Sequence, residues 1–282
     1  MLFSNTRRIL AGDKMMRLIV LVMLISGLAN PVQSKAVETE FTTAKTVLIT
    51  GSNRGIGLGF VEYYVAAGWN VIATARSPER AADLIRIGKD YPQLEIVQLD
   101  VTDHSRIDEL AALYKNQPID VLINNAGIKP LNRGIGVDYD DARQMFEVNV
   151  WGAVKMAEAF MPHLAKSKDK KLVNISSWLG SIGNAPAQPT MLNYRASKTA
   201  LNSYMVGLSH GTPKDGVIVS LIHPGGVDVR REAVCADLSK TNVRQRLCVK
   251  QSVEMMMQTI ESLTMQDNGK FFNYRPREPL SW

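Results

Sequence analysis

The chain has 282 residues, 45% of them apolar and spread along its length, which bounds the answer at one large domain. Its net charge is +6, but Arg7, Arg8, Lys14 and Arg17 against Asp13 concentrate half of that excess in the first 34 residues, so the remainder lacks the basic footprint of a nucleic-acid binder. Two cysteines and four scattered histidines show no ligand spacing, and no metal is expected.

The amino terminus has a positive stretch, then the 12-residue apolar run "LIVLVMLISGLA" from Leu18 to Ala29, then small residues in "NPVQSKA". This is the plan of a secretory signal peptide over residues 1–34, with cleavage near 29–36. The run is short of the roughly 20 residues a spanning helix needs, so membrane contact is expected only if the leader is retained. Met15 or Met16 could equally be the start. "TRRILA" is similar to a twin-arginine export signal, with Asp13 as a departure from it. The expected location is periplasmic or secreted.

Strand-like and helix-like segments then alternate. "KTVLIT" reads as a strand, "GIGLGFVEYYVAAG" as a helix and "NVIATAR" as a strand, and "SPERAADLIRIGKDY" as a helix with Ser77 as N-cap and Pro78 at its first position. "LEIVQLDV", "DVLINNAG", "KLVNISS" and "VIVSLIHPGG" read as further strands, and "SRIDELAALY" as a helix with Ile107, Leu110 and Leu113 on one face. "DARQMFEVNVWGAVKMAEAF" reads as one helix, and "KSKDKK" as a solvated connection. The alternation predicts an α/β, single-domain, doubly wound Rossmann fold, with a parallel sheet and helices on both faces.

In such a fold the first strand-to-helix turn lies at the carboxyl end of the sheet, where helix-terminal N–H groups favour a pyrophosphate. Here that turn is "TGSNRGIG", Thr50 to Gly57, with Gly51, Gly55 and Gly57 spaced G-x-x-x-G-x-G. An NAD enzyme places an acidic residue at the end of the second strand to hold the ribose hydroxyls. This chain has Ala75 there, followed by Arg76, with Arg54 in the loop. Two guanidiniums in place of a carboxylate point to a 2′-phosphate, hence to NADP.

The glycine spacing, "LDVTD" (Leu99 to Asp103), "NNAG" (Asn124 to Gly127), "NVWG", "NISS", "YRASK" and "HPGGV" follow one another in the order found in the short-chain dehydrogenase/reductase family, which the chain resembles over nearly all of residues 45–282. "SSWLGSIG", "NYRASKTALN" and the ending look like its sniffer-like and C-factor-like carbonyl reductases. The resemblance implies a catalytic set of Asn149, Ser177, Tyr194 and Lys198. It implies cofactor contacts from Gly51, Ser52, Asn53, Arg54, Gly55, Ile56 and Gly57, from Arg76, Asp100 and Val101, and from Asn125, Ala126 and Gly127. Tyr194, Lys198, Pro224, Gly225 and Val227 complete the cofactor set, with a substrate lid at about 226–250.

Tyr194 and Lys198 are four residues apart on one helical face, and the lysine's charge, with that of an oxidised nicotinamide, is expected to lower the phenol's pKa so that it acts as acid or base. Alternation turns Ser176 away and leaves Ser177 as the serine that bonds the substrate oxygen. By resemblance Asn149 holds a relay water. Val229 stands where the family pattern has threonine, and His223 reads as a satisfied core residue. Trp178, Met191 and Leu192 suggest an apolar substrate pocket, while Arg230 and Arg231 could attract an acid or face water. Cys235 and Cys248 lie in the lid segment, and in an exported chain an even cysteine count reads first as a disulfide, unless a helix over Leu238 to Leu247 separates them. The expected partner is a small carbonyl or alcohol, with a homo-oligomer open. The expected function is an NADP(H)-dependent oxidoreductase, the alternative being an exported cofactor-binding signalling or scaffold protein with little turnover.

Overall fold

The computed structural model describes residues 44–129, 137–184, 190–230, 233–238 and 246–282. The expected leader, Arg231 and part of the lid lie outside them. The strands are β1 (Thr46–Ile49), β2 (Asn70–Ala75), β3 (Leu94–Gln98), β4 (Val121–Asn124), β5 (Lys171–Ile175), β6 (Ile218–Ile222), β7 (Val227–Asp228), β8 (Leu247–Cys248) and β9 (Phe271–Phe272). The helices are α1 (Gly55–Ala66), α2 (Ala82–Asp90), α3 (His104–Leu113), α4 (Tyr139–Phe146), α5 (Gly152–Lys166), α6 (Leu192–Ser209) and α7 (Val249–Ser262).

Seven strands form one parallel sheet in the order β3-β2-β1-β4-β5-β6-β9, which is the doubly wound order. Strands alternate faces, so Val47 and Ile49 pack with α1, α2 and α7 in one buried layer, while Leu48 packs with α3, α5 and α6 in the other. Both faces being covered explains why β1, β2, β5 and β6 are buried along their whole length. Among the described residues no helix is long and apolar enough to cross a membrane.

Four local readings are corrected. Ser77 stands at the N-cap position with Pro78 opening the element, but its side chain makes no capping bond and Pro78–Arg80 form only a single 3₁₀ turn; α2 starts at Ala82, after the buried Ala81. In α3 the inward face is Ile107, Leu110 and Ala111, the i, i+3, i+4 set, and Leu113 is 61% exposed. The long helix over Asn149 is not uninterrupted α: residues Glu147–Trp151 widen into a π turn between α4 and α5. Lys171, the last residue of "KSKDKK", is buried in β5 with its Nζ donating to the Glu261 carbonyl at 2.9 Å.

Candidate active site

The turn from β1 into α1 is closed by its own backbone. Gly51 has φ +66°, and a Cβ there would stand 2.9 Å from the Ala126 Cα; at Gly57 it would stand 2.3 Å from the Gly51 carbonyl oxygen. Thr50, which sequence reasoning left unassigned, joins this turn to β4. Its Oγ1 accepts from the Asn125 and Ala126 N–H groups at 3.0 Å each, and the Asn125 amide donates to the Thr50 and Gly51 carbonyls at 2.9 and 3.0 Å. No side chain caps α1, and its first turn holds no acidic residue, so its leading N–H groups stay open to an anion.

A cavity of about 760 Å³ opens along the carboxyl ends of the strands. Its wall includes Arg54, Arg76, Ser77 and Arg80 beside β2, Asp100 and Val101 after β3, Asn125 to Lys129 after β4 without Ala126, and Ser176, Tyr194, Lys198 and Pro224 near β5 and β6. From β2 to β5 is three strand spacings, about 14 Å, enough for an extended dinucleotide. Gly51, Asn53, Gly55, Ile56, Gly57 and Gly127 also border it.

The wall holds Ser176, which alternation was expected to turn away, and not the expected catalytic Ser177 or Asn149. Four expected cofactor residues do not border the cavity either. Ser52 is fully buried and turns its hydroxyl back to the Ile49 carbonyl at 2.8 Å. Ala126 lies under Gly51. Gly225 is packed between Leu247 and Tyr274, and Val227 is taken up by pairing with Leu247. Val229 does border it, with its methyl against Gly55. Arg80 was missed in the sequence, because only the 3₁₀ turn after Ser77 brings it beside Arg76. Among the described residues Arg54, Arg76 and Arg80 form no ion pair, and the wall's carboxylate, Asp100, accepts from the Thr102 N–H and hydroxyl.

At the other end, Tyr194 and Lys198 share a face of α6. Lys198 is 5% exposed, donates from Nζ to the Ile175 carbonyl at 2.9 Å, and is pushed down to about 8 by burial. Burial likewise raises the Tyr194 phenol in the protein without cofactor, because withdrawal from water outweighs the opposing effect of the nearby Ser177 hydroxyl; the lowering expected beside an oxidised nicotinamide concerns the bound state. Asn149 is 1% exposed: its Oδ1 accepts from the Ile128 N–H at 2.8 Å, and its Nδ2 donates to the Ile128 carbonyl and the Ser197 hydroxyl at 2.9 and 3.0 Å. An exposed-face reading of this asparagine is therefore excluded, and its π turn is of the kind that frequents functional sites.

Further from the cavity, His223 stays neutral, pushed down to about 4 by burial, and its Nδ1 has no hydrogen-bond partner among the described residues, so it is not the fully satisfied histidine expected. Trp178, Met191 and Leu192 lie outside the cavity wall; Trp178 is 37% exposed. Arg230 is engaged by Asp228 through a bidentate pair and so offers no free cation. Cys235 and Cys248 are disulfide-bonded with Cα atoms 4.6 Å apart; of the helix considered over Leu238 to Leu247, residues 239–245 lie outside the described residues, and Leu247 itself is in strand. The Gln251 amide grips the same segment, accepting from the Ala236 N–H at 2.8 Å and donating to its carbonyl at 2.7 Å.

The family model described as short chain dehydrogenase matches residues 45–238. An uncharacterized oxidoreductase of Schizosaccharomyces pombe is 34% identical over 245 residues, covering 83% of this chain and 96% of its own. Among solved structures, the NADPH-bound carbonyl reductase from chicken fatty liver is 33% identical, with a TM-score of 0.75 over 85% of this chain and 99% of its own. The carbonyl reductase Sniffer of D. melanogaster is 29% identical, with a TM-score of 0.74 over 85% of this chain and 100% of its own.

Proposed function

The chain belongs to the short chain dehydrogenase family, and on that premise we propose that it is an NADP(H)-dependent carbonyl reductase whose acid–base residue is Tyr194. One observation carries the reading: a single cavity joins three guanidiniums that form no ion pair among the described residues, beside the strand end where an NAD enzyme keeps an acid, to the Tyr194 and Lys198 pair. The NADPH held by the chicken enzyme is consistent with it.

The residues fit the cofactor. Arg54, Arg76 and Arg80 would take the 2′-phosphate, with Ser77 beside them, and the open N-terminus of α1 the pyrophosphate. When bound, the cofactor supplies or accepts the hydride. A phenol raised by burial stays protonated near neutral pH, so Tyr194 holds the proton that a reduced carbonyl oxygen needs. The Ser177 hydroxyl stabilises the charge that develops on that oxygen. Lys198 supplies positive charge behind the phenol, and Asn149 holds the Ile128 backbone in place beside Gly127 and Lys198. Ile128, Val148 and Ile175 give the cavity apolar lining.

We also propose that the protein is exported through its leader; a disulfide within the lid is consistent with an oxidising compartment. The experiment is a screen of carbonyl compounds with purified mature protein, following NADPH absorbance. Oxidation of NADPH with at least one aldehyde or ketone is expected. Tight NADPH binding without any turnover would instead favour the scaffold alternative.

A further inference from the structure

Beyond Tyr194 and Lys198, the same face of α6 carries Asn202, four residues after the lysine and eight after the tyrosine. It is 2% exposed, and asparagine is a poor residue for a helix interior, so its place there calls for a reason in its contacts. Its Oδ1 accepts from the Ser176 hydroxyl at 2.5 Å, and its Nδ2 donates to the Gly180 carbonyl at 3.2 Å. These atoms belong to the two ends of the short turn that holds Ser177.

The rest of the turn leaves little slack. The Gly180 N–H donates to the Ser177 carbonyl at 2.8 Å, the Leu179 N–H donates to the Ser177 hydroxyl at 3.2 Å, and the Thr199 hydroxyl adds a second bond to the Gly180 carbonyl at 3.0 Å. A Cβ on Gly180 would stand 2.9 Å from the carbonyl carbon of Lys198, so turn and helix touch backbone to backbone. The serine and the tyrosine come from different elements, and Asn202 is the side chain that binds both ends of one to the helix of the other.

We propose that Asn202 is a positioning residue, which sets the reach from the Ser177 hydroxyl to the Tyr194 phenol by gripping residues 176 and 180 from the helix that bears the phenol. A displacement of about 1 Å at reacting groups costs on the order of 100-fold in rate, so an amide that fixes this gap acts on the chemical step rather than on cofactor affinity. The kinetic arm of this inference rests on the reductase reading; its spectroscopic arm does not.

The test compares wild type, Asn202→Ala, Ser177→Ala and the double variant as full mature chains. The kinetic readout is NADPH-dependent reduction of 4-nitrobenzaldehyde. The second is the ¹³C resonance of the Tyr194 ζ carbon in tyrosine-labelled protein, assigned by its loss in Tyr194→Phe. Asn202→Ala is expected to lower kcat roughly 10- to 100-fold with little change in KM for NADPH, and to move the Tyr194 resonance as Ser177→Ala does. Because the amide acts through the serine, the double variant should be no slower than Ser177→Ala alone. Ser176→Ala removes the same bond from the other side and serves if Asn202→Ala does not fold. If wild type reduces no aldehyde or ketone of the carbonyl screen, the reductase reading fails while the resonance still decides the role of Asn202. An unmoved resonance, or kinetic effects that multiply in the double variant, would overturn it.

Discussion

Replacing Lys198 by methionine is expected to stabilise the protein while abolishing its activity, and the structure gives the size of the gain. The ammonium is buried, has no carboxylate beside it among its described contacts, and is pushed down to about 8 from an ordinary 10.5. At about 1.4 kcal/mol per unit, holding that charge in the folded state near neutral pH costs about 3 kcal/mol. Methionine has similar length and no charge, so the variant is freed of that cost and loses one hydrogen bond to the Ile175 carbonyl, worth about 1 kcal/mol. The net gain is about 2 kcal/mol near pH 7 without cofactor. Between the depressed folded value and the ordinary one the unfolded chain binds more protons, so wild-type stability rises with pH through that window and the cost of the charge fades. The gap between variant and wild type should therefore shrink by about 2 kcal/mol between roughly pH 7 and pH 10. All other titrating groups are common to both chains and cancel in the difference. Urea unfolding of both proteins across this range is the assay. A variant less stable than wild type near pH 7, or a gap that does not change with pH, would refute the argument.

At the adenine end, Arg76→Asp and Arg80→Asp should each weaken NADPH binding at least tenfold and shift preference towards NADH, since a charge-assisted contact is worth about 1.5 to 3 kcal/mol; fluorescence titration with both cofactors checks this, and an unaffected Arg80 variant would remove it from the phosphate site. Tyr194→Phe should abolish reduction in the absorbance assay with NADPH affinity nearly intact, because the ring stays and only the proton donor goes. The pair Cys235→Ser with Cys248→Ser opens a loop of 13-residue separation, for a loss of at most about 3 kcal/mol in urea unfolding. The Gln251 grip on Ala236 should keep the loss below that ceiling, and combining Gln251→Ala with the cysteine changes should weaken NADPH binding further than either alone.

By itself the sequence determined the order of strands and helices, the closed turn between β1 and α1, and the shared face of Tyr194 and Lys198. These follow from local rules: glycine where the backbone folds back, period two for buried strands, and a helical repeat that brings residues four apart together. It also placed two of the three guanidiniums, since Arg54 and Arg76 are adjacent to motifs readable in the chain. What it left open depended on contacts between segments distant in sequence. A 3₁₀ turn ending at the buried Ala81 stands where the helix after Ser77 was expected, and it brings Arg80 to the cavity. The π turn at Asn149 goes with bonds to the distant Ile128 and Ser197. The closeness of Cys235 to Cys248 goes with the hold of the Gln251 amide on the Ala236 backbone, fifteen residues away along the chain. The upward shift of the Tyr194 phenol in the free protein has the same origin: proximity of lysine is visible along a helix, but withdrawal from water is decided by every element packed over the site.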